Sequence, residues 1–329
     1  MVLGCVTLPH DNQQSEIQHT HTVIFLHGHL GSARQLSQKI WDSEDDRGTS
    51  LQHIFPSVKW VFPQAEDVYI ESIKEEKSQW FDIWDSKHPD QRRELQIPGL
   101  KKAIPELVHT IQEEARLVGL EKIILAGVSQ GCATAIQTLL NYPQPEEAGQ
   151  DQRLCALVGF SGWMCFGDCS VQESRDILGL NEIEGPAPDD SVYRNTPVFM
   201  AHCADDPTIL MPEAERVRDS LTGYGMTVTW HKYQSGGHWI NSPKGICDLV
   251  KFFEAQGVKN YKPEDEEREP NGISDLVELL EAQDVKNHLP ENHEQEPNPS
   301  DECCLQQLCM GVRALELQPE NEADFETTE

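Results

Sequence analysis

Apolar residues along this chain gather in short continuous runs separated by polar stretches and by segments of helical period. The runs His21–Leu26 (HTVIFL), Val58–Phe62 closed by Pro63, Ile123–Val128, Leu154–Phe160, Pro197–Ala201 and Val228–Tyr233 are rich in β-branched and aromatic residues and predict buried strands. Between them the period changes. Ser32 can cap a helix running toward Trp41. Leu100, Ile104, Leu107, Val108, Ile111 and Ala115 form the stripe of a helix over 100–117, ended by Gly119. Further helices are expected from Gln130 to about Tyr142-Pro143, over Glu213–Leu221 and over Lys244–Gln256. The stretch from Pro63 to Gln79 is polar and reads as irregular, and Trp80-Phe81-Asp82-Ile83 follows in a loop-like setting. Strands alternating with helices imply an α/β fold, a mostly parallel sheet with helices on both faces.

Composition adds a division of the chain. The 329 residues carry a formal charge of −30, and residues 264–329 hold 20 acidic and 3 basic side chains, a net −17. The body is therefore moderately acidic and the tail strongly so. Phosphate binding needs clustered Lys and Arg, so nucleic acid is not an expected partner. The chain is expected to divide into an N-terminal extension (1–20), a catalytic domain (21–262) and an acidic, largely disordered tail (263–329). The ten cysteines include no C-x-x-C pair and several sit in apolar runs, which favours a reducing compartment, and a cytoplasmic location is expected. Residues 1–21 lack the basic region and apolar run of a signal peptide. No 18-residue apolar segment is present to span a membrane, although transient contact with a membrane surface is compatible with the chain.

The candidate chemistry falls just after strands, where α/β sheets place their sites. Gly127-Val128-Ser129-Gln130-Gly131 is a G-x-S-x-G turn between a strand and a small-residue helix, the context that exposes a serine hydroxyl at the top of a sheet. Such a hydroxyl needs a general base, and the base needs an orienting carboxylate. Downstream, Asp205 and Asp206 follow one strand and His238 follows the next. Asp206 is preferred because Pro207 fixes a turn directly after it. The order serine, aspartate, histidine is that of α/β-hydrolases. Two backbone N–H groups are needed for an oxyanion, and Gln130 and His29 are the candidates. Trp80, Phe81, Trp163 and Met164 are candidate substrate-binding side chains on the general ground that acyl pockets are apolar.

Phe25-Leu26-His27-Gly28, Trp80-Phe81-Asp82-Ile83, Gly127–Gly131, Phe160-Ser161-Gly162-Trp163, His202 through Asp206-Pro207, and Gly237-His238 recur in the order found in one family. Over about residues 20–257 the chain resembles the acyl-protein thioesterases of the phospholipase/carboxylesterase family, α/β-hydrolases, and is similar to fungal members. The resemblance implies a serine hydrolase of acyl thioesters and oxyesters, S-palmitoyl groups on proteins included, with no metal or other cofactor. It places the acid at the aspartate before proline, Asp206. The expected substrate is an acylated protein or a small acyl ester. Two alternatives share the fold: a carboxylesterase acting on small soluble esters, and a catalytically idle binding protein, against which the intact serine–aspartate–histidine set argues. The chain departs from the family pattern in three places. Cys203 replaces a glycine, the loop His29-Leu30-Gly31-Ser32 is one residue out of step, and the turn after Asp206 is longer.

The tail carries an internal repeat. Residues 245–264 (GICDLVKFFEAQGVKNYKPE) and 272–291 (GISDLVELLEAQDVKNHLPE) match at 13 of 20 positions. The apolar stripe Ile246, Leu249, Val250 and Phe253 returns as Ile273, Leu276, Val277 and Leu280. A duplicated terminal helix is therefore expected near 272–285. The first copy is expected to complete the core, since it follows His238 closely and carries Phe252 and Phe253.

Overall fold

The computed structural model describes residues 5–8, 18–70, 74–143, 152–180 and 190–261. The chain divides into two units, 1–266 and 267–329, and every described residue lies in the first. The second copy of the repeat lies outside the described residues.

Nine strands and eight α-helices are formed among the described residues. In chain order they are β1 (Cys5–Leu8), β2 (His21–Leu26), α1 (Ala33–Trp41), α2 (Leu51–Ile54), β3 (Val58–Pro63), β4 (Asp67–Ile70), β5 (Glu75–Ser78), α3 (Gln96–Val118), β6 (Ile123–Val128) and α4 (Gln130–Leu140). Then come β7 (Ala156–Phe160), α5 (Val171–Leu178), α6 (Asp190–Asn195), β8 (Val198–Cys203), α7 (Met211–Gly223), β9 (Val228–Tyr233) and α8 (Lys244–Ala255). Seven strands form one sheet in the order β1-β3-β2-β6-β7-β8-β9. All neighbours are parallel except β1, which pairs antiparallel with β3.

The continuous apolar runs follow from burial on both faces. In β2, Ile24 and Leu26 join the core under α3 and α4, while Val23 and Phe25 join the core under α1, α2 and α8. β6 splits the same way, with Ile123 and Leu125 on one face and Ile124, Ala126 and Val128 on the other. A strand facing water on one side would alternate in polarity; these have no polar face to show.

Three features depart from the expected elements. The N-terminal extension contributes β1, a four-residue strand too short to announce itself. The stretch read as irregular contains the antiparallel pair β4–β5, whose second strand, Glu-Glu-Lys-Ser, buries only Ser78 and so lacks an apolar signal. Helix α3 begins at Gln96 rather than Leu100, with the buried Gln96 amide donating to Pro89 O at 2.7 Å. Helix α5 starts at a capping box, in which Ser170 Oγ accepts from Glu173 N–H and the Glu173 carboxylate accepts from Ser170 N–H.

α8 docks as its stripe requires. Ile246, Leu249 and Phe253 are buried, and just beyond the helix Tyr261 N–H donates to Ile54 O at 2.8 Å. The first copy of the repeat thus completes the core of the body.

Candidate active site

Ser129 sits between β6 and α4 in a left-handed backbone conformation, φ 57° and ψ −122°. That conformation is costly for a residue with a side chain and persists only where its surroundings hold it. Here they leave no slack. A Cβ on Gly127 would lie 2.3 Å from the carbonyl of Gly131, and one on Gly131 would lie 2.3 Å from Leu26 O. Both glycines are required by space. Cys132, three residues on, fits because Gly159 and Gly162 stand opposite it; a Cβ on either would lie 2.5 Å from its sulfur.

His238 lies on the loop after β9 and Asp206 on the loop after β8. The His238 ring donates from Nδ1 to the Asp206 carboxylate at 2.8 and 3.0 Å. With the proton on Nδ1, Nε2 is left as an acceptor. The Asp206 side chain is fully buried and also accepts the backbone N–H groups of Thr208 and Ile209 at 2.8 and 3.0 Å. Burial by itself would raise this carboxyl's pKa. The hydrogen bonds from His238, Thr208 and Ile209 outweigh it and hold the group below its ordinary value. Asp205, the alternative acid, has a different role. Its exposed carboxylate accepts from Gly236 N–H at 3.2 Å and Gly237 N–H at 2.8 Å, tying down the loop that carries His238.

Ser129 and His238 line one cavity of about 500 Å³, together with His27, Gly28, His29 and Trp239. Their side chains are not joined by a direct hydrogen bond in this structure, a link that often closes only around a substrate. Gly28 approaches so closely that a Cβ there would stand 3.3 Å from Ser129 Cβ and 3.8 Å from Oγ.

The two candidate oxyanion donors flank the serine. Gln130 is the first residue of α4, where a backbone N–H has no partner within the helix. In the loop after β2, Leu30 N–H is bonded to Ser78 O and Gly31 N–H to Gly28 O, while among the described residues no hydrogen bond takes up His29 N–H. Leu30 in this loop adopts φ 59°, and His29 lines the same cavity as Ser129.

A polar lattice holds that loop. His27 donates from Nδ1 to Gly28 O at 2.8 Å, and its Nε2 accepts from Ala65 N–H at 3.1 Å. Burial pushes its pKa down to about 4, so the ring is neutral. Trp80 Nε1–H donates to His27 O at 2.8 Å. The buried Gln130 side chain accepts from Trp80 N–H at 2.9 Å and donates to Phe81 O at 2.7 Å. Gly99 lies so close to this segment that a Cβ there would fall 2.4 Å from Phe81 Cα.

Trp80 and Phe81, expected from the sequence as substrate contacts, are therefore core residues, 3% and 2% exposed, that support the loop from behind. Trp163 and Met164 are equally buried, with Trp163 edge-on to Phe81, and none of the four lines the cavity. The Gln130 side chain, the Asp205 clamp and Trp239 belong to the site's surroundings without being marked as such by local sequence. A glutamine directly after the serine was the one available signal; the other two depend on which loops meet. No helix among the described residues is long and apolar enough to cross a membrane.

The phospholipase/carboxylesterase family profile matches residues 12–177. Acyl-protein thioesterase 1 of Yarrowia lipolytica is 25% identical over 240 residues, covering 72% of this chain and 92% of the relative. A probable carboxylesterase of Arabidopsis thaliana, SOBER1-like, is 25% identical over 229 residues, covering 67% of this chain and 73% of the relative. Among solved structures, Zea mays acyl-protein thioesterase 2 superposes with a TM-score of 0.56 at 20% identity, over 77% of this chain and 98% of that one. At that identity the likeness speaks for the fold.

Proposed function

This chain belongs to the phospholipase/carboxylesterase family and is a carboxylic-ester or thioester hydrolase, and from that premise we propose that Ser129, His238 and Asp206 carry out the hydrolysis. The observation that supports this assignment best is the pairing of His238 Nδ1–H with a buried, ionised Asp206, which leaves Nε2 as an acceptor in the cavity that Ser129 lines.

The steps follow from the geometry. His238 Nε2 takes the Ser129 proton as Oγ attacks the acyl carbonyl. Asp206 holds the tautomer that makes this transfer productive and stabilises the imidazolium that results. The developing oxyanion is met by Gln130 N–H and His29 N–H, fixed beforehand so that no reorganisation is needed. Collapse expels the thiol or alcohol, which takes the proton from His238. Water, activated by the same imidazole, then releases the acid from Ser129.

The finer reading is that acylated proteins are among the substrates, as the names of the fungal relatives suggest, and that the enzyme works in the cytoplasm. The body that does so is assigned to residues 21–262, with 263–329 as an appended acidic tail. The test is a fluorophosphonate label on the full chain, which should be captured by the native protein and not by Ser129→Ala. It should be paired with thioester and p-nitrophenyl ester series of increasing acyl length. Native-level turnover by Ser129→Ala would overturn the assignment.

A further inference from the structure

The cavity extends away from Ser129 along the outer edge of α1. This helix buries Ala33, Leu36, Ser37 and Ile40, and offers Gln35, Gln38 and Lys39 to the cavity. Trp239, the residue after His238, lines the same cavity. Its indole is pinned by a hydrogen bond from Nε1–H to Ser43 Oγ at 3.1 Å, and Lys39 Nζ rests 4.5 Å from its ring centroid. An ammonium is thus held against the residue next to the candidate base.

We propose that this end of the cavity is a subsite for an anionic group on the leaving portion of the substrate, with Lys39 as its charge partner; the proposal rests on the hydrolase reading above. Three observations carry it. First, among the described residues the Lys39 ammonium forms no ion pair with a carboxylate and lies over the Trp239 ring at the cavity. Second, among the described residues no Asp or Glu lines the cavity, in a chain whose net charge is −30. A cavity wall without acidic residues and with one positioned cation favours an anion over a neutral or cationic group. Third, the location matches the direction of chemistry. The imidazole must return its proton to the leaving atom, so the leaving group passes His238, and Trp239 with Lys39 lies immediately beyond. Gln35 Oε1 accepts from Ser32 Oγ, which leaves the Gln35 amide N–H groups as further donors.

The substrate class is then an acyl thioester or ester whose thiol or alcohol part bears a carboxylate or phosphate. The anion takes no part in bond making. Ser129 Oγ bonds to the acyl carbon, the carbon–sulfur or carbon–oxygen bond breaks, the leaving atom takes the proton from His238, and the anion stays on the released product.

Matched pairs test this. S-octanoyl-3-mercaptopropionate is compared with its primary amide, and S-octanoyl-phosphopantetheine with S-octanoyl-pantetheine. The full chain should prefer the anionic member in kcat/KM by about tenfold at low salt, the scale of one charge-assisted contact. The preference should shrink as salt rises. Lys39→Met, which keeps an apolar stem over Trp239, should bring the ratio near one, and Lys39→Arg should retain most of it. A preference in one pair alone identifies the anion. A ratio near one in both pairs for the native chain, or one that survives Lys39→Met, overturns the proposal. Calorimetric binding of the same pairs to Ser129→Ala separates the two readings. An anion preference in binding without turnover by the native chain would sink the hydrolase mechanism and keep the subsite. Turnover of both members without a binding preference would do the reverse.

Discussion

Asp205 accepts the backbone N–H of Gly237 at 2.8 Å, directly before the histidine whose ring is held by the neighbouring Asp206. Two consecutive carboxylates grip one loop, the first by its backbone and the second by the His238 ring. Their loss should differ in kind. Asp206→Asn removes the charge that stabilises the imidazolium and favours the wrong tautomer, and kcat should fall by about 10³–10⁴. Asp205→Ala frees Gly236 and Gly237, which sit at φ 137° and 63° and have conformational freedom to use. Its kcat should fall by only about tenfold, the effect of mispositioning rather than lost chemistry. Steady-state kinetics on one ester decides the matter, and equal losses would remove the distinction drawn between the two carboxylates.

Gln130 joins the candidate oxyanion site to the segment that supports it. In Gln130→Ala the backbone N–H contributed by residue 130 remains, but Trp80 N–H and Phe81 O lose their buried partners. The cost should be about 3 kcal/mol in urea unfolding, the scale of buried polar groups left unsatisfied. Turnover should fall as well, because Trp80 Nε1–H steadies His27 O in the loop that carries the proposed oxyanion donor His29. A variant as stable as the native protein would show that the clamp is dispensable.

Acid should weaken the fold before it reaches the carboxylates. His21 and His27 are buried, and burial lowers each pKa from 6.5 to about 4. Between those values the unfolded chain binds protons that the folded chain refuses, so stability falls as pH drops through this window. The loss is on the order of 3 kcal/mol for each histidine. Asp206 follows the opposite rule. Its folded pKa lies below the ordinary value, so its contribution is present above the carboxylate range and is lost only at still lower pH. Thermal melts from about pH 7.5 to about pH 4.5 should show a steady decline in Tm. A flat profile across that range would mean that the two rings take up protons without unfolding.

Removal of residues 263–329 should leave esterase activity and Tm unchanged. The helix that completes the core is α8, with Phe253 1% exposed and Val258 sealing its end. Loss of folding on truncation would show that the second copy of the repeat, not the first, serves the body.

The class of fold and the chemistry on offer were legible in the residues alone. Strands buried on both faces must be apolar at every position, so their runs stand out. A serine between two glycines, placed after such a strand and before a small-residue helix, marks a turn built to expose a nucleophile. The order of Ser129, Asp206 and His238 could be read because each sits at a strand's end, a position set by local chain geometry. Which side chains face the cavity was settled by packing between distant segments. Trp80 and Trp163 are as aromatic as Trp239, yet they lie in the core while Trp239 walls the site. The polar strand β5 pairs with the four-residue β4 through its backbone, which leaves no mark on its side-chain pattern. Asp205 and Asp206 are indistinguishable as residue types. Their roles part because successive side chains diverge, so that one meets a loop backbone and the other an imidazole, and those partners come from a segment about thirty residues away that only folding brings near.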